Sequence, residues 1–465
     1  MPYAGLMVSV SGIRGRVGEA LTPEIVGTFA AGFGVWALRN SNGANRGPSG
    51  ASGAVVVGRD SRVSGPMFHR AVVAALQSVG CRVIDVGLAP TPTIQLAVEA
   101  HHAAGGLAIT ASHNPVEWNA LKFIGPSGLF LEAHEGAEMR AVAEGTIPRA
   151  TWERLGVVEV DEDAIRRHLD AVLAIPYLDV DAIRRRRLRV ALDCVHGAGA
   201  TIMPALLERL GCVVTAIGLP TDGRFPHPPE PVAENLKDLE RLVRDSGADV
   251  GFAVDPDVDR LALVDETGRA IGEDYTLALA ARVVLRRRAG VVVTNLSTSR
   301  IVDDVAQGAG GRVIRAPVGE VNVATRMRDE GAQIGGEGNG GVILTELHLG
   351  RDAPVGAALI LQLLTAADMP LSAIVAEYPR YAIVKDKLDR PAGSLDSVYR
   401  ALTDAFADAE VDRQDGLRLS WPDRWVHVRP SGTEPIVRVI AEARTEADAR
   451  ALIARSRAPL DALAH

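Results

Sequence analysis

A strand–helix–strand pattern recurs three times along the chain. The first copy runs from Val55-Val56-Val57 through a helix-like stretch at 68–77 to Cys81-Arg82-Val83-Ile84-Asp85-Val86. The second joins Val190-Ala191-Leu192-Asp193, a helix at 202–210 and Cys212-Val213-Val214-Thr215-Ala216-Ile217. The third joins Val291-Val292-Val293-Thr294-Asn295, a helix at 299–306 and Arg312-Val313-Ile314. Each copy then reaches another apolar strand: Leu107-Ala108-Ile109 before Ser112, Gly251-Phe252-Ala253-Val254 before Asp255, and Ala332-Gln333-Ile334 before Gly335. Short apolar strands alternating with helices imply βαβ crossovers and parallel sheets. Ligand-binding residues gather beyond the carboxyl ends of such strands. Three such units would carry three different loops in equivalent places, and side by side they would turn them toward one cleft.

The segment after about residue 378 breaks this pattern: a helix at 397–407, strands at 425–428 and 436–440, and a helix from Glu446 suggest a smaller α+β unit. The expected architecture is therefore three tandem α/β domains with mainly parallel mixed sheets (1–160, 161–268 and 269–378) and an α+β domain (379–465) around one central cleft. A length of 465 residues agrees with three or four domains at about 150 residues each. The net charge of −8 argues against nucleic acid or an acidic membrane as partner, so an anionic substrate needs a local cluster of arginines. Cys81, Cys194 and Cys212 form neither a disulfide framework nor a metal-ligand spacing, and are expected as buried thiols in a reducing cytoplasm. No signal-like segment opens the chain, and its longest apolar run, near 355–364, is too short to span a membrane. The chain reads as cytoplasmic, with monomer and homodimer both open. Residues 40–53, rich in Gly, Ser and Asn, read as a surface loop, and the basic run 184–187 as a solvated approach to a strand.

Four loops carry chemistry. In Thr110-Ala111-Ser112-His113-Asn114-Pro115 a strand delivers Ser112 into a sharp turn, where it is a candidate nucleophile or phosphate carrier; an ordinary capped turn is the alternative. His113 is expected to orient that serine. In Asp255-Pro256-Asp257-Val258-Asp259-Arg260 alternate spacing turns three carboxylates to one side, which suits a hard divalent cation such as Mg²⁺. A calcium-binding EF-hand fails, because Arg260 stands where its turn needs Gly and strand-like runs flank the loop. Gly335-Gly336-Glu337-Gly338-Asn339-Gly340-Gly341 lets backbone approach a ligand closely and leaves Glu337 and Asn339 for hydroxyls. Arg429-Pro430-Ser431-Gly432-Thr433-Glu434-Pro435, between two strands, reads as an anion nest, with Arg438 adding a second cation. Lys122, ten residues after Ser112, is a proton-transfer candidate if neighbouring cations lower its pKa. Arg14, between glycines in Gly12-Ile13-Arg14-Gly15, reads as turn chemistry or a phosphate contact.

In this order the motifs resemble those of the α-D-phosphohexomutases, the phosphoglucomutase, phosphomannomutase and phosphoglucosamine mutase superfamily, over essentially the whole chain. The resemblance implies that Ser112 is the phosphoserine of the active enzyme, and that Asp255, Asp257 and Asp259 hold Mg²⁺ together with a phosphoserine oxygen. It implies that Arg14 and Arg260 support the reacting phosphoryl group and that Lys122 is the general acid/base. Glu337 would bond sugar hydroxyls, while Arg429, Ser431, Gly432 and Thr433 clamp the other phosphate. The implied reaction passes a phosphoryl group from Ser112 to a hexose monophosphate, giving a hexose 1,6-bisphosphate, and returns the other phosphate to Ser112. Many relatives carry Gly-Glu-x-Ser-Gly-His in the sugar loop. Here Asn339 and Gly341 replace the serine and histidine, and His348 is the nearby candidate to stand in for the latter. This variant loop, followed by Glu-Leu-His-Leu-Gly-Arg-Asp-Ala, resembles the phosphoglucosamine mutase branch, with glucose and mannose phosphates as alternative substrates. A metal-dependent sugar phosphatase and a non-catalytic sugar-phosphate-binding protein are the competing readings. The first has little need of the Arg429 clamp, and the second has none for Ser112, Lys122 and three aspartates together.

Overall fold

Val55, Val56 and Val57 are fully buried because their strand, Ala54–Arg59, runs through the middle of a seven-stranded sheet, parallel to Arg82–Leu88 on one side and Gly105–Ile109 on the other. A strand covered on both faces reads as a continuous apolar run. The helices Pro23–Asn40 and Gly65–Ser78 cover one face, and Thr91–Ala100 packs on the other. The computed structural model describes residues 5–9, 12–40, 53–390, 394–431 and 436–461, so most of the expected surface loop at 40–53 lies outside the described residues.

The second sheet sets Arg189–Asp193 parallel to Val213–Ile217 and Val250–Val254; the third sets Val291–Asn295 parallel to Arg312–Ala316 and Ile334–Glu337. In each unit one parallel strand (Gly105–Ile109, Val250–Val254 and Ile334–Glu337) folds back into an antiparallel one: Trp118–Ile124, Leu261–Asp265 and Gly341–Leu344. The Ser112 turn, the aspartate loop and the glycine turn are the three connections between those strand pairs. Their equivalence follows from topology, since each leaves the carboxyl end of a parallel strand. Strands on both sides of the aspartate loop also agree with the rejection of an EF-hand.

The apolar run near 355–364 lies inside the helix Ala353–Ala367, which is buried along most of its length against Asp274–Arg287. One hydrophobic core runs continuously through the second and third units around these two helices. Each fully buried leucine there, such as Leu359 or Leu361, contributes about 1.5–3 kcal/mol. Residues 382–461 form a five-stranded antiparallel sheet with a separate core, packed by Asp396–Ala405 and Glu446–Asp461. Polar contacts dock it on the third unit: Ser297 Oγ to His427 Nδ1 at 2.9 Å, and the Val318 and Arg300 N–H groups to Asp415 (3.1 Å) and Glu442 (2.9 Å). Cys81 and Cys194 are buried as expected, whereas Cys212 is only half-buried, beside the edge strand Val213–Ile217. The basic run ends the helix Val180–Arg186, where its charges suit the negative helix end and Arg184–Arg187 are exposed. Among the described residues no helix is long and apolar enough to cross a membrane.

Candidate active site

Ser112 takes up a left-handed conformation (φ +49°) that a non-glycine residue holds only when its surroundings enforce it. Thr110 and Arg62 supply that enforcement. Thr110 Oγ1 donates to Asp60 (2.6 Å) and accepts the Ser112 N–H (2.9 Å). Arg62, fully buried, donates to the carbonyls of Ser112 (2.5 Å), Asn114 (2.6 Å), Pro115 (2.7 Å) and Trp118 (2.9 Å), and its Nε to Asp60 (3.1 Å). The turn is thus wrapped around one guanidinium. Arg14, on Gly12–Arg16, donates to the Asn114 side chain at 2.7 Å. His113 Nδ1 lies 3.3 Å from Ser112 Oγ; burial, then Arg260 and Arg14, drives its pKa down to about 2, so the ring is neutral.

The Ser112 hydroxyl donates to Asp255 Oδ2 at 2.6 Å, across two domains of the fold. Asp255, Asp257 and Asp259 are all buried, each offering an oxygen within 4.8 Å of the others. Burial, reinforced by Asp259 and Asp257, pushes the Asp255 carboxyl well above its ordinary value. Asp257 moves the other way: Lys122 Nζ at 2.8 Å and Thr91 Oγ1 at 2.7 Å outweigh burial and hold it ionised. Asp257 Oδ1 and Asp259 Oδ1 are buried without a hydrogen-bond partner. Three buried carboxylates converging this closely, two of them with an orphaned oxygen, fit a hard divalent cation, and the three aspartates are the residues that would hold it. The expected lowering of the Lys122 pKa is not met. Burial alone would lower it, but Asp257 and Asp259 (3.9 Å) prevail and raise it, because the groups facing this lysine most closely are anions.

The glycine segment is a hairpin, not an open loop: Gly335, Gly336 and Glu337 belong to one strand and Gly341 to the next. Gly340 turns it with φ +88°, and a Cβ there would meet the Leu261 carbonyl at 2.5 Å. Glu337 is buried; its Oε1 accepts from Asn295 (2.8 Å) and the Gly319 N–H (3.2 Å), its Oε2 from Arg351 (2.7 Å) and Asn339 (3.4 Å). Burial works against this charge, but Arg351 and Asn295 keep it below the ordinary carboxylate value. His348 does not replace the missing histidine. It is buried off the cleft, its Nε2 3.0 Å from Asp352, because its segment turns it toward the helix Ala353–Ala367.

A cleft of about 500 Å³ collects these groups: Ser112, Lys122 and Arg14 from the first unit, Arg260 from the second, Glu337 and Asn339 from the third, and Lys385, Arg429 and Arg438 from the last. Arg429 and Arg438 are directly paired on adjacent strands, and Asp415 anchors Arg429 at 2.8 Å. The three aspartates lie beneath this surface, reached through Ser112 and Lys122. Ser431 does not line the cleft; its N–H bonds the Ile436 carbonyl at 2.8 Å. Gly432 and Thr433 lie outside the described residues. Sequence reasoning missed Arg62, Arg351, Asn295 and Lys385. The first and third stand at or just beyond carboxyl ends of parallel strands, which was the available signal; no local feature marked Lys385.

The fold and site together define a multidomain α/β protein whose central cleft sets a serine against a buried carboxylate cluster. Models of the four successive domains of phosphoglucomutase/phosphomannomutase match residues 6–146 (alpha/beta/alpha domain I), 166–268 (domain II), 272–381 (domain III) and 384–458 (C-terminal domain). The chain is 38% identical over 452 residues to a probable phosphoglucosamine mutase of Methanopyrus kandleri, covering 96% of each. It is 39% identical over 453 residues to a phosphoglucomutase/phosphomannomutase of Thermococcus kodakarensis, again covering 96% of each. A phosphoglucomutase/phosphomannomutase family protein of Burkholderia thailandensis superposes with a TM-score of 0.83 at 26% identity, covering 98% of both chains. The chain belongs to the phosphoglucomutase/phosphomannomutase family and is a phosphohexomutase, an isomerase that works by phosphoryl transfer.

Proposed function

We propose that the protein interconverts glucosamine 6-phosphate and glucosamine 1-phosphate through a phosphorylated Ser112 and a hexose 1,6-bisphosphate intermediate. The observation that carries this reading is the Ser112 hydroxyl at 2.6 Å from Asp255, opening into the same cleft as Lys385, Arg429 and Arg438. One end of the cleft suits transfer of a phosphoryl group and the other suits holding one that is not reacting. A phosphatase would need only the first.

Mg²⁺, held by Asp255, Asp257 and Asp259, would neutralise charge on the phosphoryl oxygens. Arg14 and Arg260 face the same end of the cleft and stabilise the oxygens as charge develops on them. Lys122, held as an ammonium, gives a proton to Ser112 Oγ as the phosphoryl group leaves for the sugar hydroxyl, and regains one from that hydroxyl. The bond broken is Oγ–P and the bond formed is sugar O–P. After the intermediate reverses its ends, the second phosphoryl returns to Ser112 and the proton moves the other way. His113, neutral, donates from its Nδ1–H to Ser112 Oγ and keeps the serine turned inward. Glu337 and Asn339 take sugar hydroxyls, and Arg429 and Arg438, with Gly432 and Thr433 of the same motif, hold the non-reacting phosphate. Glucosamine is preferred because the cleft also carries Glu230 and Asp274, acids suited to an ammonium at C2. The Methanopyrus relative bears that name, while the Thermococcus relative keeps glucose and mannose phosphates as the alternatives.

Intact-mass analysis of active protein should find one phosphate, lost in Ser112→Ala together with isomerisation. Assays with glucosamine, glucose and mannose phosphates, with and without the corresponding 1,6-bisphosphate, should give the highest kcat/KM for glucosamine. Release of inorganic phosphate without isomerised sugar would refute the reading.

A further inference from the structure

Gly341 lacks a side chain for a reason visible in the packing: a Cβ there would lie 2.3 Å from Cδ and 3.0 Å from Cγ of Arg351. The arginine lies across the glycine, and its guanidinium meets three acids from three segments. Nη2 donates to Asp259 Oδ2 (2.5 Å), Nη1 to Glu337 Oε2 (2.7 Å) and Nε to Glu320 Oε2 (3.0 Å). Gly341 is also the direct strand partner of Glu337. We propose that Arg351 is a positioning residue that couples the aspartate loop to the sugar hairpin, and that Gly341 exists to make room for it. The proposal rests on the reading of the aspartates as a metal site and Glu337 as a sugar contact.

With Oδ2 of Asp259 engaged by the guanidinium, its other oxygen, Oδ1, has no hydrogen-bond partner and only Arg260 Nε at 3.8 Å, and Asp257 Oδ1 is likewise without one. With Oε2 of Glu337 engaged by the same plane, and Oε1 fixed by Asn295 and Gly319, the hairpin acid has one orientation. A planar fork of five N–H donors sets both carboxylates at once, so a shift at one reaches the other. Lysine, a single point of charge on a flexible stem, cannot span the three acids.

The test uses the full-length protein with Arg351→Met, Arg351→Lys, Gly341→Ala and the double variant Gly341→Ala/Arg351→Ala, beside Arg351→Ala as its parent. Mn²⁺ affinity is measured by calorimetry without sugar, and mutase kinetics separately. Arg351→Met and Arg351→Lys should each weaken Mn²⁺ binding by about 10- to 100-fold, the range for partners that orient metal ligands. KM for the hexose phosphate should rise in both. In the parent protein Mn²⁺ and hexose 1-phosphate should each tighten binding of the other, and in Arg351→Met that mutual effect should vanish. Gly341→Ala should reproduce the Arg351 defects, and the double variant should be no worse than Arg351→Ala. Mn²⁺ affinity within twofold of the parent in a folded Arg351→Met, or additive losses in the double variant, would overturn the proposal. Should Arg351→Met not fold, Gly341→Ala with parental Mn²⁺ affinity and KM would overturn it equally. A parent chain that binds Mn²⁺ without isomerising sugar would sink the mutase reading alone, leaving the Mn²⁺ titrations to decide the coupling.

Discussion

Replacing Arg62 with methionine tests whether one buried guanidinium builds the serine turn. The substitution removes five donor contacts at once, to four carbonyls at 2.5–2.9 Å and to Asp60 at 3.1 Å, in a place with no access to water. Asp60 is also buried, and burial already raises its pKa against the pull of Arg62. Without the arginine it would be protonated or left as an uncompensated charge. Removing one partner of a buried pair costs about 3–5 kcal/mol, and the stranded carbonyls add about 1–3 kcal/mol each where water cannot reach them. Local relaxation will return part of this, so a loss of about 4–6 kcal/mol is expected for the first unit of the fold. Urea unfolding, read by circular dichroism, measures it. Turnover should fall by more than the unfolded fraction explains, because Ser112 loses the contacts that hold it at φ +49°. Adding Asp60→Asn to Arg62→Met should cost little more, as the two act as a pair. A folded Arg62→Met within about 1 kcal/mol of the parent, phosphorylated and active at parental rate, would refute the argument.

Burial drives the pKa of Asp274 up to about 7, so this group stabilises the fold fully below about pH 4 and that contribution is lost as pH rises through 7. The stability difference between the parent and Asp274→Asn, followed from pH 4 to 8, should therefore shift by about 2 kcal/mol in favour of the variant, allowing for the partial exposure of the carboxyl; a flat difference would refute it. Burial raises the Cys81 and Cys212 thiols to about 12 and Cys194 higher still, so Ellman's reagent should label native protein slowly, Cys212 first, and all three promptly in urea. Asp415→Ala removes both the anchor of Arg429 and the acceptor of the Val318 N–H. It should raise KM for the hexose phosphate several-fold with a smaller change in kcat, and increase the radius of gyration in small-angle scattering; unchanged KM and scattering would count against a docked tail.

The recurring strand–helix–strand pattern and the alternate spacing of Asp255, Asp257 and Asp259 are local regularities, and local regularities can be read from a chain. Strand period, helix period and turn chemistry act over a few residues, which is why three sheets and their loops were legible. The antiparallel strand Gly341–Leu344 was not, because its apolar part is only three residues long and it pairs with Ile334–Glu337, whose two glycines give no strand signal. The shared core of the second and third units was equally hidden, since the apolar run at 355–364 says only that a helix is buried, not between which neighbours.

The sequence by itself determined which side chains could do chemistry and on which loops to look for them: a serine, three aspartates, a glutamate among glycines and an arginine turn. Only the tertiary structure decided what state those groups are in. Lys122 reads as a lysine awaiting cations, yet it faces Asp257 and Asp259 from 135 and more residues away and is held charged. Nothing local in the chain marks Arg62 or Arg351 as buried, yet each lies among carbonyls or carboxylates gathered from distant segments. Charge state and orientation depend on distance through space and on exclusion of water, and neither is written in the spacing of residues along the chain.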